Sequence, residues 1–210
     1  MARLAAGPRQ RLTLFVVALF AVTALGVICQ RDSDPVLRVE TFAAGILHAA
    51  AEAGLEDPFL LAGLVYAESR GNPAAVSSTG AQGLCQLVPS TAAELAALHQ
   101  IPGPPFTPQD NLRLGAWYLA ELQRRWHGDT DLALLSYRLG PNKVAREVAA
   151  AGGADAWKAQ IQQQLPGPWD HRNEVLRARA LFRQRAASGV GWPERARVLA
   201  QNWAAGGPKE

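Results

Sequence analysis

Glu68 is the residue whose setting best suits a reacting group. It closes the run Phe59-Leu60-Leu61-Ala62-Gly63-Leu64-Val65-Tyr66-Ala67, in which nearly every side chain is apolar. Asp57-Pro58 starts a helix here, because Asp57 caps the free N–H groups and Pro58 fits the first helical position. Gly71 and then Asn72-Pro73 end it. A helix that is apolar on every side is a buried one. Glu68 therefore falls in the last turn of a buried helix, where the macrodipole disfavours an anion. Leu64 and Val65, at i−4 and i−3, strip water from the carboxyl and disfavour its charged form further. A carboxylic acid still protonated near neutral pH is what general acid catalysis requires. Helix position alone leaves a second reading open, that of a solvated glutamate paired with Arg70.

The other acids read as helix caps. Asp110 closes Thr107-Pro108-Gln109-Asp110, Asp129 and Asp131 flank a turn after Gly128, and Glu94 stands at capping-box spacing from Thr91. His48, His99, His127 and His171 are scattered without ligand spacing and read as surface or core residues, so neither a metal nor a cofactor is expected. Cys29 and Cys85 do not imply a disulfide; Cys85 reads as a small buried hydrophobe. Trp117 and Trp126 sit on apolar helix faces, the usual place for core aromatics, although such rings also stack on sugars.

The elements that must position Glu68 are almost all helical. After the buried helix, Ser77–Leu87 is a polar loop punctuated by Gly80 and Gly83, a tight bend or a close backbone approach. Helices are expected at about 41–53, 58–70, 90–98, from Thr107 to Gly128, 131–139, 141–150, 154–164 and 170–187, followed by a last amphipathic helix carrying Val198, Leu199 and Trp203. Pro166-Gly167-Pro168 reads as a break. Arg172, Arg177, Arg179, Arg183 and Arg185 read as a solvated helix face. The fold class is mainly α, with at most a tiny β element near Ser77–Leu87.

The chain has 210 residues, 49% hydrophobic and 19% charged, which suits one globular domain with extras. Its net charge of +3 comes from Arg3, Arg9 and Arg11; setting those aside leaves 18 residues of each sign. No basic stripe with interleaved aromatics is present, so a nucleic-acid partner is not expected. Leu12 to Cys29 carries no charge and spans about 27 Å as a helix, enough to cross a hydrocarbon core. The arginines before it place the N-terminus in the cytoplasm and the rest outside. Expected divisions are a signal-anchor or signal peptide over 1–30, a polar linker over 31–40, the main domain over 41–187 and a C-terminal helix and tail over 188–210. Anchoring is favoured over cleavage, since Ala24-Leu25-Gly26 is a poor cleavage site and bulky Ile28 precedes Cys29.

Glu68-Ser69, Asn72-Pro73, Ser77, Gly80-Ala81, Gly83-Leu84, Gln86 and Pro89-Ser90-Thr91 resemble, in order and spacing, the signature of the soluble lytic transglycosylase family. Asn111 to Leu119 and Ala133 to Pro141 resemble a second and a third block. The resemblance runs from about residue 41 to 185. It implies a goose-type-lysozyme-like helical domain that cuts peptidoglycan glycan strands, with an extracytoplasmic place in the cell envelope. Most glycosidases use two carboxylates, whereas the resemblance implies that Glu68 acts alone. It would protonate the oxygen between N-acetylmuramic acid and N-acetylglucosamine, then take the proton of the muramoyl C6 hydroxyl, leaving a 1,6-anhydro end. By the same resemblance, Ser77 contacts substrate, Gln86 lines the sugar groove and Tyr137 reaches the acid by a hydrogen bond.

Departures from the family pattern are equally specific. Arg138 follows Tyr137 where Asn is usual, and its cation is suited to a stem-peptide carboxylate or else projects into the groove. Cys85 and Val88 stand where Met is common, and Glu174 stands where Tyr is usual. Rival expectations are a wall-binding module without turnover, a muramidase using water, and a helical envelope scaffold.

Overall fold

The computed structural model describes residues 34–204, with side chains to 201. The expected membrane or signal segment, Leu12 to Cys29, lies outside the described residues, as does the end of the tail. Among the described residues no helix is long and apolar enough to cross a membrane. The described chain runs through α1 (Pro35–Thr41), α2 (Ala43–Ala53), α3 (Pro58–Ser69), α4 (Pro89–Leu98), α5 (Pro108–Arg125), α6 (Thr130–Leu139), α7 (Pro141–Ala150), α8 (Ala154–Gln164), α9 (Pro166–Ala187) and α10 (Glu194–Ala204). The β content described is two isolated antiparallel bridges, Val76 with Gln82 and Gln82 with Leu87.

The core is built around α3. Phe59, Leu60, Leu61, Leu64 and Val65 are all buried, which follows from a helix with no polar face. Asp57 caps it by accepting from the Phe59 N–H at 3.0 Å. α9 lies against α3 so closely that a Cβ added to Gly63 would sit 2.4 Å from the Val175 carbonyl oxygen and 2.9 Å from the Arg179 nitrogen. Trp192, between α9 and α10, closes the far side with its ring 5.2 Å from Phe59 and 5.9 Å from Phe182. A smaller cluster of Leu132, Leu135, Val144, Trp157 and Ile161 joins α6, α7 and α8.

Several expectations need correction. The segment read as a linker is helical from Pro35, with Asp34 accepting from the Val36 N–H at 2.8 Å and Val39 fully buried. The break at Pro166-Gly167-Pro168 is instead the first turn of α9, where a proline at the first position forfeits no helical bond. Thr91 does not cap α4, because Pro89 already opens it after Val88; the box at Thr107 and Asp110 does form. α10 buries Ala196 and Ala200 and leaves Val198 exposed. Of the arginines of α9 read as a solvated face, Arg177 is exposed, but four are not solvent-facing charges. Arg172 bonds Asp131, Arg179 and Arg183 bond Asp57, and Arg185 bonds Glu40 at 2.7 and 2.8 Å. Their partners lie far away in the chain, so charge spacing within one helix could not reveal them.

Replacing a helical glycine by alanine normally gains about 1 kcal/mol of helix propensity. Gly63→Ala is expected to lose stability instead, because its methyl meets backbone that cannot swing aside. A lower urea midpoint for that variant checks this, and an unchanged or higher midpoint would refute the close approach of α3 and α9.

Candidate active site

Glu68 ends α3 with its side chain only 7% exposed. The alternative pairing with Arg70 does not occur: Arg70 turns to Glu174 at 2.6 Å and lies over the Tyr66 ring, 4.6 Å from its centroid. What meets Glu68 is His171 from α9, whose Nε2 is 3.0 Å from Oε1. The sequence reading missed this residue. A histidine on a remote helix carries no local mark of the carboxyl it will face.

The loop after α3 is held by side chains rather than by strands. Ser77 Oγ accepts from the N–H groups of Ala81 at 3.0 Å and Thr79 at 3.3 Å, so its hydroxyl closes a turn. Gln86 adopts a left-handed backbone, φ 46°, and its amide nitrogen donates to the carbonyls of Ala75 at 3.0 Å and Gly83 at 2.9 Å. Those two bonds offset a conformation that is unfavourable for a residue with a Cβ. Between them, Asn111 and Tyr137 grip Cys85. Asn111 Oδ1 accepts from the Cys85 N–H at 2.8 Å, Asn111 Nδ2 donates to the Gln82 carbonyl at 3.1 Å, and the Tyr137 hydroxyl donates to the Cys85 carbonyl at 2.7 Å. Asn111 is a second residue to which sequence reasoning assigned no role; it lies in the second block of the family resemblance, but its bonds cross from α5 to the loop.

The Tyr137 hydroxyl thus bonds a loop carbonyl where a bond to the acid was expected. It remains in the electrostatic neighbourhood of Glu68. Burial pushes the Tyr137 hydroxyl well above the usual phenol range, with the Cys85 thiol and then Glu68 adding to the effect. Burial likewise pushes the Cys85 thiol far up, and Glu68 adds to it. Cys85 is fully buried against α5, where only glycine fits: a Cβ at Gly115 would lie 2.4 Å from its Sγ. Arg138, beside Tyr137 in the last turn of α6, is exposed. Tyr137 and Cys85 are bonded to each other within electrostatic reach of Glu68, Ser77 and Gln86 hold the loop's own turns, and Arg138 faces solvent.

The tryptophans are committed elsewhere. Trp117 is stacked on His99 at 3.7 Å, with the Arg113 guanidinium 5.0 Å from its ring centroid. Trp126 donates to Ser136 Oγ at 2.7 Å. A cavity of about 210 Å³ lies on the flank of the loop, bounded by Gln82, Gly83, Leu87, Phe106 and Asn111. Another of about 270 Å³ lies at Trp157 between α7 and α8. Neither is lined by Glu68.

The described fold is thus mainly helical, with one carboxyl buried at the end of its central helix and a glycine-punctuated loop braced by α5 and α6. The family model for the transglycosylase SLT domain matches residues 46–160, over half of the chain, and the chain belongs to that family. It is 42% identical over 88 residues to the transglycosylase of Enterobacteria phage PRD1, covering 42% of this chain and 31% of that one. It is 36% identical over 124 residues to membrane-bound lytic murein transglycosylase F of Pseudoalteromonas translucida, covering 54% and 25%. Among solved structures, lytic transglycosylase Slt of Pseudomonas aeruginosa, an inactive mutant with a glutamate changed to glutamine, matches with a TM-score of 0.59 and 27% identity over 68% of this chain and 24% of that one. The chain spans less than a third of the length of each of these relatives.

Tyr137→Phe leaves the buried Cys85 carbonyl without its donor and is expected to cost about 1–3 kcal/mol. Ser77→Ala, at a half-exposed turn, is expected to cost less than about 1 kcal/mol. Urea unfolding of the two variants checks this order, and a reversed order would show that the Tyr137 bond does not hold the loop.

Proposed function

We propose that the chain is a peptidoglycan lytic transglycosylase with Glu68 as its single acid and base. One observation carries the reading: Glu68 is the buried carboxyl at the site that no arginine neutralises. Glu174 is bonded by Arg70, Asp131 by Arg172 and Asp57 by Arg179 and Arg183, while Asp170 is exposed. A guanidinium already occupies the oxygens of those acids, whereas none stands against Glu68. The inactivation of the Pseudomonas relative by a glutamate-to-glutamine change supports a mechanism that turns on one such group.

In this mechanism the Glu68 carboxyl gives its proton to the glycosidic oxygen as the bond to muramoyl C1 breaks. The muramoyl C6 oxygen bonds to C1, and its proton passes to the Glu68 carboxylate. The acid is regenerated, no water is consumed, and a 1,6-anhydro end remains. Gln86 and Ser77 shape the wall along the glycan, and the Gln86 amide oxygen, unlike its nitrogen, is available to a sugar. Tyr137 keeps the loop at its distance from the acid. Arg138, exposed beside it, pairs with a carboxylate of the stem peptide. The place of action is the extracytoplasmic side of the envelope, with residues 12–29 as the tether.

The reading is tested by digesting purified cell wall with the chain and weighing the products. Anhydro ends are expected; reducing ends would make it a muramidase, and binding without products a wall-binding module. Glu68→Gln is expected to lower product release by at least about 10²- to 10⁴-fold, the usual worth of a general acid, while the unfolding midpoint stays close to that of the parent. Unchanged release from that variant would remove Glu68 from the mechanism.

A further inference from the structure

Among the described residues, Trp192 Nε1 is buried without a hydrogen bond, but His171 is the side chain left so at both of its nitrogens. Its Nδ1 and Nε2 are both buried, and neither makes an aligned hydrogen bond. Yet Nε2 approaches Glu68 Oε1 to 3.0 Å, with the two side chains 11% and 7% exposed. Buried polar atoms without partners are rare, and those that persist call for an explanation, a catalytic role among them. The placement is not incidental. α9 runs antiparallel to α3, with Arg183 and Arg179 at Asp57, Val175 and Arg179 at Gly63, and His171 at Glu68. Several charged groups on the surrounding helices have their own partners, Arg70 with Glu174, Arg172 with Asp131, and Lys158 with Asp129 at 3.0 Å, and Arg177 is exposed. Asp170 and Arg138 are exposed. Glu68 is the carboxyl left for the imidazole.

We propose that His171 is a positioning residue for Glu68: its Nε2–H donates to Oε1, so that Oε2 is the oxygen that gives and recovers the reacting proton. This rests on Glu68 being the acid. A neutral imidazole has one donor and one acceptor. An orphaned buried acceptor is better tolerated than an orphaned N–H, so the unpartnered Nδ1 keeps the lone pair and the proton sits on Nε2, facing oxygen. Aligning the bond takes a rotation of the ring or of the carboxyl; catalytic hydrogen bonds are often poorly aligned until substrate is present. With Oε1 occupied, the acidic proton resides on Oε2. It passes to the glycosidic oxygen as the bond to C1 breaks, and the proton of the C6 hydroxyl returns to Oε2 as C6–O bonds to C1. The imidazole keeps its own proton throughout, and its N–H opposes the negative charge that Glu68 carries between the two transfers.

The test compares the 210-residue chain with H171A and H171Q on purified glycan strands. H171A is expected to lower kcat roughly 10- to 100-fold, the scale of a misplaced reacting group, with KM within about twofold. H171Q, which restores an N–H at the same reach, is expected to recover most of that loss. Independently of turnover, the ¹⁵N resonances of His171, assigned by their disappearance in H171Q, are expected to show the Nε2–H tautomer and to move in E68A. An Nδ1–H tautomer, resonances indifferent to E68A, or an H171A variant with unchanged kcat would each overturn the proposal. If the parent chain released no anhydro ends, the reading of its function would fall by itself, and the nitrogen spectrum would still decide whether the two side chains are paired.

Discussion

The seam between α3 and α9 is the constraint on which the rest of the structure depends. Its middle is set by an absent side chain, since at Gly63 the backbone of α9 occupies the space a methyl would need. Its ends are set by charge: Asp57 at the start of α3 takes Arg179 and Arg183, and Arg70 just beyond the end takes Glu174. Sliding either helix by a turn would unpair the buried Asp57 from its arginines and bring side chains against the backbone at Gly63. Both penalties are large compared with the net worth of an ion pair, so these contacts specify register more than they add stability. Register is what the site needs, because it decides which residue of α9 faces Glu68.

That division of charge also explains why the end of α3 is chemically different from its start. Asp57 sits at the positive pole of the helix, caps it, and is bonded by two arginines. Glu68 sits at the negative pole with an imidazole for company. One carboxylate is stabilised from every side; the other is stabilised from none by full charge. The same helix thus provides an inert anchor and a candidate acid.

The loop opposite the acid depends on α5 and α6 for its shape. Two isolated bridges cannot hold it, so Asn111 and Tyr137 take the N–H and C=O of Cys85 from outside. Gly115 lets the Cys85 thiol sink into α5. The tyrosine expected at the carboxyl is therefore a brace for the backbone next to it, and its buried phenol keeps its proton for that bond.

What the amino-acid sequence determined by itself was local in origin. The caps at Asp57 and Thr107, the apolar circumference of α3, the glycine-punctuated loop and the place of Glu68 in a last helical turn all follow from residue types a few positions apart. The order of its motifs was enough to identify the family. Pairings across the chain were decided by tertiary structure alone. Arg179 and Arg183 look like a solvated face until α9 meets Asp57, Pro35–Thr41 reads as a linker until Glu40 meets Arg185, and His171 looks idle until the seam brings it to Glu68. The physical reason is that helix and turn preferences are short-range, whereas partners for buried charge are chosen by packing, which no window along the sequence contains.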